Sequence, residues 1–197
     1  MARSRPKSVP RRSSRTLCGR VVVAVTGSIA ALWTARFILH LRANNHAREV
    51  SVVMSEHATR FVTPLAMRVV SGSPVLTDLF DAGAPLPVGH VQITEGADVL
   101  LVMPATANII GKAAHGIADD AVSSSILAAA CPVVFVPNMN QRMWRHPIVR
   151  RNVQTLKSAG YHVVPPEMGV EISTLRQREG AMPSFDIIIA AVRAALR

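Results

Sequence analysis

Cysteine is scarce: Cys18 and Cys131 are the only two in 197 residues. So low a count excludes a disulfide framework and a cysteine-based metal cluster, and no metal site is expected; a reducing compartment, the cytoplasm, fits best. Aromatic residues make up 4% of the chain, with two Trp and one Tyr, too few for the stacking platform of a single-strand nucleic-acid binder. No uninterrupted apolar run reaches the roughly 18 residues of a membrane span. The longest candidates are broken by Pro104, Pro132 or Arg193, so a soluble chain is expected. The glycines lack the spacing of a dinucleotide fingerprint, and no lysine completes a phosphate-binding loop.

Acid is missing from residues 1–20, "MARSRPKSVPRRSSRTLCGR", which hold seven Lys or Arg. They account for most of the formal net charge of +10 and leave +3 for the body. Residues 1–19 read as a disordered basic tail, solvated like most like-charged runs. Contact with nucleic acid or an anionic membrane, or a transit peptide, would rest on that charge alone. No apolar h-region follows the charges before Val21 opens a strand, so no secretory signal is expected.

What is present is apolar and alternating. Nearly half of the chain is hydrophobic, enough for one well-buried domain over residues 20–197, with no repeat and no second domain. The β-branched run "RVVVAV" (20–25) predicts a strand buried on both faces. "EVSVVMS" (49–55), "DVLLVMP" (98–104), "PVVFVP" (132–137) and "YHVVPP" (161–166) repeat it. Helical spacing is predicted over "IAALWTARFILHLRAN", "ATRFVTPLAMRVV", residues 106–129 and 141–159, and "FDIIIAAVRAAL". Residues 71–89 and 166–183 read as loops. Strand–helix alternation predicts a doubly wound parallel sheet with helices on both faces and right-handed crossovers. Ligands of such sheets bind beyond the carboxyl ends of the strands.

At those ends fall "TGS", "MSEHA", "PATAN" and "PNMN". Gly27 permits a tight turn and Ser28 offers a hydroxyl ahead of a helix whose first amides suit an anion. Ser28, Ser55, Thr106, Asn108 and Ser123 are equally candidates for helix caps. His90, after a glycine, suits proton transfer near neutrality but is also an ordinary cap or surface residue. Met139, Met143 and Trp144 stand at near-helical spacing, usual for a core.

Together, "TGSIAA", "GH" followed by "ADVLLVMPATAN", "PNMNQRMW" and "EGAMPS" resemble the homo-oligomeric flavin-containing cysteine decarboxylases, most of all their lantibiotic- and linaridin-type peptidyl-cysteine members. Phosphopantothenoylcysteine decarboxylase is a further member. The resemblance covers about residues 20–185. It implies a flavodoxin-like (Rossmann-like) α/β fold, FMN as cofactor, and a homotrimer or a dodecamer of trimers with the flavin at a subunit contact. Carried over, Gly27, Ser28, Ile29 and Ser55 line the phosphate end of FMN, and Thr106, Ala107, Asn108 and Ser123 hold the flavin. Asn138 and Met139 lie near its ring. His90 matches the active-site base, Asn140 the residue that binds the substrate carboxylate, and Met143 its neighbour. Residues 169–183, with Thr174, Gly180, Ala181 and Met182, correspond to a substrate lid.

The implied reaction oxidises a terminal cysteine at Cβ, so that the resulting thioaldehyde can accept the electrons left by decarboxylation and yield an enethiol. In the coenzyme A branch a cysteine in the lid segment then reduces the enethiol. Thr174 stands about there, and a hydroxyl cannot replace a redox thiol. The expectation is therefore oxidative decarboxylation of the C-terminal cysteine of a ribosomally made precursor peptide. The enethiol would lead to an aminovinyl-cysteine crosslink made with other peptide-modifying enzymes. Phosphopantothenoylcysteine decarboxylase and a non-catalytic flavin-binding regulatory subunit are the alternatives. Flavin prenyltransferases share the fold but lack the "PNMNQRMW" motif.

Overall fold

The computed structural model describes residues 16–80 and 89–197. Most of the expected basic tail therefore lies outside the described residues. Its last four residues do not: Leu17 donates its N–H to the His46 carbonyl, and β1 (Cys18–Val25) opens at Cys18, so Cys18 and Gly19 belong to the sheet.

The predicted strands all form, and all of them run parallel. With β2 (Ala47–Met54), β3 (Val75–Leu76), β4 (Val99–Ala105), β5 (Val133–Pro137) and β6 (His162–Val163), β1 makes a six-stranded sheet in the order β3-β2-β1-β4-β5-β6. Apart from the two-residue edge strand β3, this is the flavodoxin-like order, and the connection reverses between β1 and β4. Side chains alternate between two cores, as the two-residue period of a strand requires. Val21, Val23, Val25, Leu101, Met103 and Val136 face one layer, with Phe37 and Ile38 of α1 (Ala31–Ala43) and Ile188 of α9 (Phe185–Ala195). Val22, Ala24, Leu100, Val102 and Phe135 face the other, with Ile110 of α5 (Ala107–Ala114), Ile126 of α6 (Ala121–Ala128) and Leu156 of α8 (Pro147–Ser158). Burial on both sides explains why these strands read as unbroken apolar runs.

Three predicted helices are each divided. The second stretch breaks into α2 (Glu56–Thr59) and α3 (Pro64–Ser71), because Thr63 and Pro64 start a new helix. Residues 106–129 break between α5 and α6, where Gly116 takes a left-handed conformation and Asp120 caps afresh. Residues 141–159 split into α7 (Gln141–Trp144) and α8, which begins at Pro147. His90 does open a short helix, α4 (Gly89–Gln92).

The segment 166–183 is a correction. It contains β7 (Glu167–Glu171) and β8 (Arg176–Ala181), an antiparallel hairpin separate from the main sheet. Both strands are largely exposed, so no apolar run announces them.

Candidate functional site

The carboxyl ends of β1 and β5 and the hairpin β7–β8 enclose a cavity of about 470 Å³. Its wall is polar at Ser28, Asn138 and Asn140 and apolar at Ile29, Trp33 and Met182. Of the predicted site residues, Met139, Gly180 and Ala181 also line it.

Buried and half-buried hydrogen bonds fix this end of the sheet. The Thr26 hydroxyl donates to the Pro104 carbonyl (2.6 Å) and accepts from the Thr106 N–H (3.3 Å), locking the turn after β1 to the end of β4. Ser28 Oγ donates to Asn138 Oδ1 (2.6 Å), and Asn138 Nδ2 donates to the Gly180 carbonyl (3.3 Å). One carboxamide thus joins the β1 turn, the β5 turn and the hairpin. Gly180 is obligatory there: its φ is +125°, and a Cβ would lie 2.1 Å from the Met139 carbonyl oxygen. Gly27 is as constrained, since a Cβ would come within 2.5 Å of His57 Cβ.

Not every serine or threonine is free for a ligand. Ser55 accepts from the Ala58 N–H and Thr106 from the Ile109 N–H, so both cap helices. Ser123 is fully buried in a capping box with Asp120, away from the cavity wall. Lys112 bridges Asp119 and Asp120 beside that box. Burial pulls the Asp120 pKa upward, but the hydrogen bonds from Lys112 and Ser123 outweigh it and hold the carboxyl below its ordinary value. Helix α1, by contrast, begins at Ala30 without a side-chain cap; Ser28 accepts from the Ala30 N–H at 3.3 Å. Ala107 and Asn108 open α5 beside Thr106 and do not line the cavity.

His90 also lies off the cavity wall, half-buried in α4, where Gly89 abuts Leu76 at the carboxyl end of β3. Met143 is exposed on α7 and does not reach the cavity.

Two residues that sequence reasoning passed over hold the hairpin in place. Glu179 accepts from Trp144 Nε1 (3.1 Å) and Arg145 Nε (2.9 Å), while its N–H donates to Gln141 Oε1 (3.1 Å). The hydrogen bond from Arg145 holds the Glu179 carboxyl below the usual carboxylate range; burial opposes it and Trp144 adds to it. Glu171 accepts from Asn140 Nδ2 at 2.5 Å and from the Thr174 hydroxyl at 2.7 Å. Without the hairpin register, nothing in the sequence links either glutamate to "PNMNQRMW".

A parallel sheet in this order, with a half-polar, half-apolar cleft at its carboxyl ends, defines a flavodoxin-like α/β protein. More particularly, the chain belongs to the Flavoprotein family, whose model matches residues 10–197. The structure is similar to that of the FMN-dependent cysteine decarboxylase SpaF, with a TM-score of 0.78 and 36% identity over 91% of this chain and 98% of SpaF. A histidine-to-asparagine variant of the peptidyl-cysteine decarboxylase EpiD complexed with substrate peptide DSYTC gives a TM-score of 0.78 and 28% identity, covering 88% and 98%. A cysteine-to-serine variant of PPC decarboxylase complexed with pantothenoylaminoethenethiol gives 0.79 and 27%, covering 89% and 97%. In sequence, the chain is 40% identical over 149 residues to the coenzyme A biosynthesis bifunctional protein CoaBC of Bacillus subtilis, covering 76% of this chain and 36% of that protein. For CoaBC of Mycobacterium tuberculosis it is 41% identical over 150 residues, covering 76% and 35%. The chain spans about a third of the length of these relatives.

Proposed function

We propose that this chain is an FMN-dependent decarboxylase that acts on the C-terminal cysteine of a ribosomally made precursor peptide and converts it to an enethiol, with release of carbon dioxide. The cavity suits the cofactor. The Ser28 turn ahead of α1 gives the cavity a polar end, and the wall of Ile29, Trp33 and Met182 fits an apolar ring. Bound there, FMN would supply the hydride acceptor that a cysteine residue lacks.

The chain's own groups do the rest. Asn140 donates an N–H to the cysteine carboxylate without adding a fixed charge. His90 takes the thiol proton as a hydride leaves Cβ, which makes a C=S bond. The bond from Cα to the carboxylate then breaks, carbon dioxide departs, and its electron pair becomes the C=C bond of the enethiolate. Because His90 lies off the cavity of its own chain, it serves a neighbouring copy in a homotrimer or a dodecamer of trimers. Other peptide-modifying enzymes would close the aminovinyl-cysteine ring. Two free, unpaired cysteines suit the cytoplasm for this work.

One observation carries the choice of product. No cysteine lies in the hairpin or on the cavity wall, and Thr174, at the hairpin turn, gives its hydroxyl to Glu171. With no thiol at hand to reduce it, the enethiol is the end product. In keeping with this, the PPC decarboxylase variant complexed with an aminoethenethiol has a cysteine replaced by serine. A second reading, phosphopantothenoylcysteine decarboxylase, is favoured by the 40% identity to CoaBC.

Mass spectrometry separates the two readings. A cysteine-ended peptide incubated with protein and FMN should lose carbon dioxide and two hydrogens, and should not react when its carboxyl is amidated. Turnover of phosphopantothenoylcysteine to the saturated amine, with no peptide reacting, would establish the second reading instead.

A further inference from the structure

The side chain assigned to the substrate's carboxylate is already holding a carboxylate. Asn140 caps α7, and its Oδ1 accepts from the Arg142 N–H at 2.8 Å. That bond fixes the carboxamide, so Nδ2 is the end turned to the cavity. There it donates at 2.5 Å to Glu171 Oε1, while Glu171 Oε2 accepts from the Thr174 hydroxyl at 2.7 Å. Both oxygens of Glu171 are thus engaged, one by its own hairpin turn and one by the cavity wall. Asn140, Glu171 and Arg178 share that cavity. An amide N–H meeting a carboxylate is the contact that a free C-terminal cysteine would make at the same atom.

We propose that Glu171 is a resident competitor of the substrate. Its carboxylate fills the position at Asn140 that the cysteine carboxylate takes, and it holds the hairpin against the cavity until substrate displaces it. The hairpin is well placed to swing on this contact. Its turn, residues 172–175, is exposed, with Ile172 and Ser173 at the cavity, and is tied by hydrogen bonds to the body through Glu171, whereas its base is held separately by Gly180 and Glu179. Release at Glu171 therefore frees the tip and leaves the base docked. A substrate without a carboxylate gains nothing by displacing Glu171, so the latch discriminates for free C-terminal acids. If the latched form holds about nine-tenths of the molecules, the apparent substrate affinity is about tenfold below the intrinsic one.

The proposal rests on the reading that the substrate carries a free cysteine carboxylate, which the peptide and phosphopantothenoylcysteine share. Its first test needs neither substrate nor cofactor. Trypsin cleavage after Arg176 and Arg178, both exposed on the hairpin, reports the population of the released tip. Glu171→Ala and Asn140→Ala should each speed that cleavage several-fold, and the double variant should be no faster than either. Unchanged cleavage, or additive effects, would overturn the latch.

The second test is steady-state kinetics with whichever cysteine substrate turns over. Glu171→Ala and Glu171→Gln should lower KM about tenfold and leave kcat within about twofold. A fall in kcat with KM unchanged would make Glu171 a positioning residue for Asn140 and overturn the competitor. Failure of both substrates to react would refute the decarboxylase reading, and the competitor with it, while the trypsin result would still decide whether the contact latches the hairpin.

Discussion

At the scale of single residues, Asn138 carries more of the site than its type suggests. Its Oδ1 takes the Ser28 hydroxyl at 2.6 Å and its Nδ2 reaches the Gly180 carbonyl at 3.3 Å. Asn138→Ala would leave both partners without it in a half-buried place, at a cost of about 1–3 kcal/mol. Urea unfolding should show a lower midpoint with an unchanged slope. Gly180→Ala should act differently, because its Cβ would strike the Met139 carbonyl and φ is +125°. The hairpin should undock while the sheet stays folded, seen as rapid tryptic cleavage at Arg178 with far-UV circular dichroism little changed. Two of the site's polar residues, Ser28 and Asn138, were legible in the sequence because glycine and proline turns announce them. Thr26, 3% exposed between two strands, was not, since only the pairing of β1 with β4 brings it to Pro104. Ser123, which the resemblance assigns to the flavin, also stands in a local Asp-x-x-Ser pattern that spells the capping box seen in the structure.

At the scale of elements, the hairpin is where the sequence was least informative, for a physical reason. A strand of the main sheet is buried on both faces and reads as an apolar run, whereas β7 and β8 pair chiefly with each other and carry Glu167, Glu171, Arg176, Arg178 and Glu179. Their turn lacks the usual Asn-Gly or Asp-Gly signal and instead holds Leu175 at φ +53°. A leucine in that left-handed region costs about 1 kcal/mol that asparagine largely avoids. Leu175→Asn should therefore slow hydrogen exchange of the hairpin amides about fivefold. Acid should do the reverse through Glu179. Its folded pKa is depressed by Arg145, so the folded state binds its proton less readily than the unfolded one. The stabilisation is fully present above the ordinary glutamate value and is lost as pH falls through that value towards the folded one. Tryptic nicking in the pH range of trypsin activity cannot reach this window, so hydrogen exchange between pH 6 and pH 3 is the suitable measurement. Glu179→Gln should flatten the profile, and an equally steep profile in that variant would refute the role of the Arg145 pair.

At the scale of the whole molecule, the parallel strands and both cores follow from sequence periodicity, whereas the flavodoxin-like fold was implied by the family resemblance; the single chain does not bring His90 to its own cavity. The exposed apolar residues bear on this. Ile29, Leu32 and Trp33 lie on or beside the start of α1 with 42%, 48% and 53% of their surface exposed, and two of them line the cavity. Large apolar side chains grouped at a cavity rim are more often covered by protein than left in water. If a neighbouring copy covers this rim, the same contact can deliver a residue from a different edge of the fold, and His90 in α4 near β3 is the candidate. Trp33→Glu should then do two things together: shift the protein from trimer to monomer in size-exclusion light scattering, and abolish turnover while the fold is retained. His90→Asn should abolish turnover with the assembly intact. Mixing subunits that lack different site residues offers a sharper test, because each supplies what the other lacks only when subunits share sites. A His90→Asn subunit keeps its cavity and rim, and a wild-type neighbour brings the histidine. Wild type mixed with excess His90→Asn subunits, after exchange, should retain activity in proportion to wild-type histidines, independent of which chain holds the cavity. Cavities blocked by Asn140→Ala, mixed with His90→Asn subunits, should regain activity that neither has alone. Such rescue needs one chain's His90 at another chain's Asn140, and its absence in demonstrably mixed trimers would place the base within a single chain and refute the shared site.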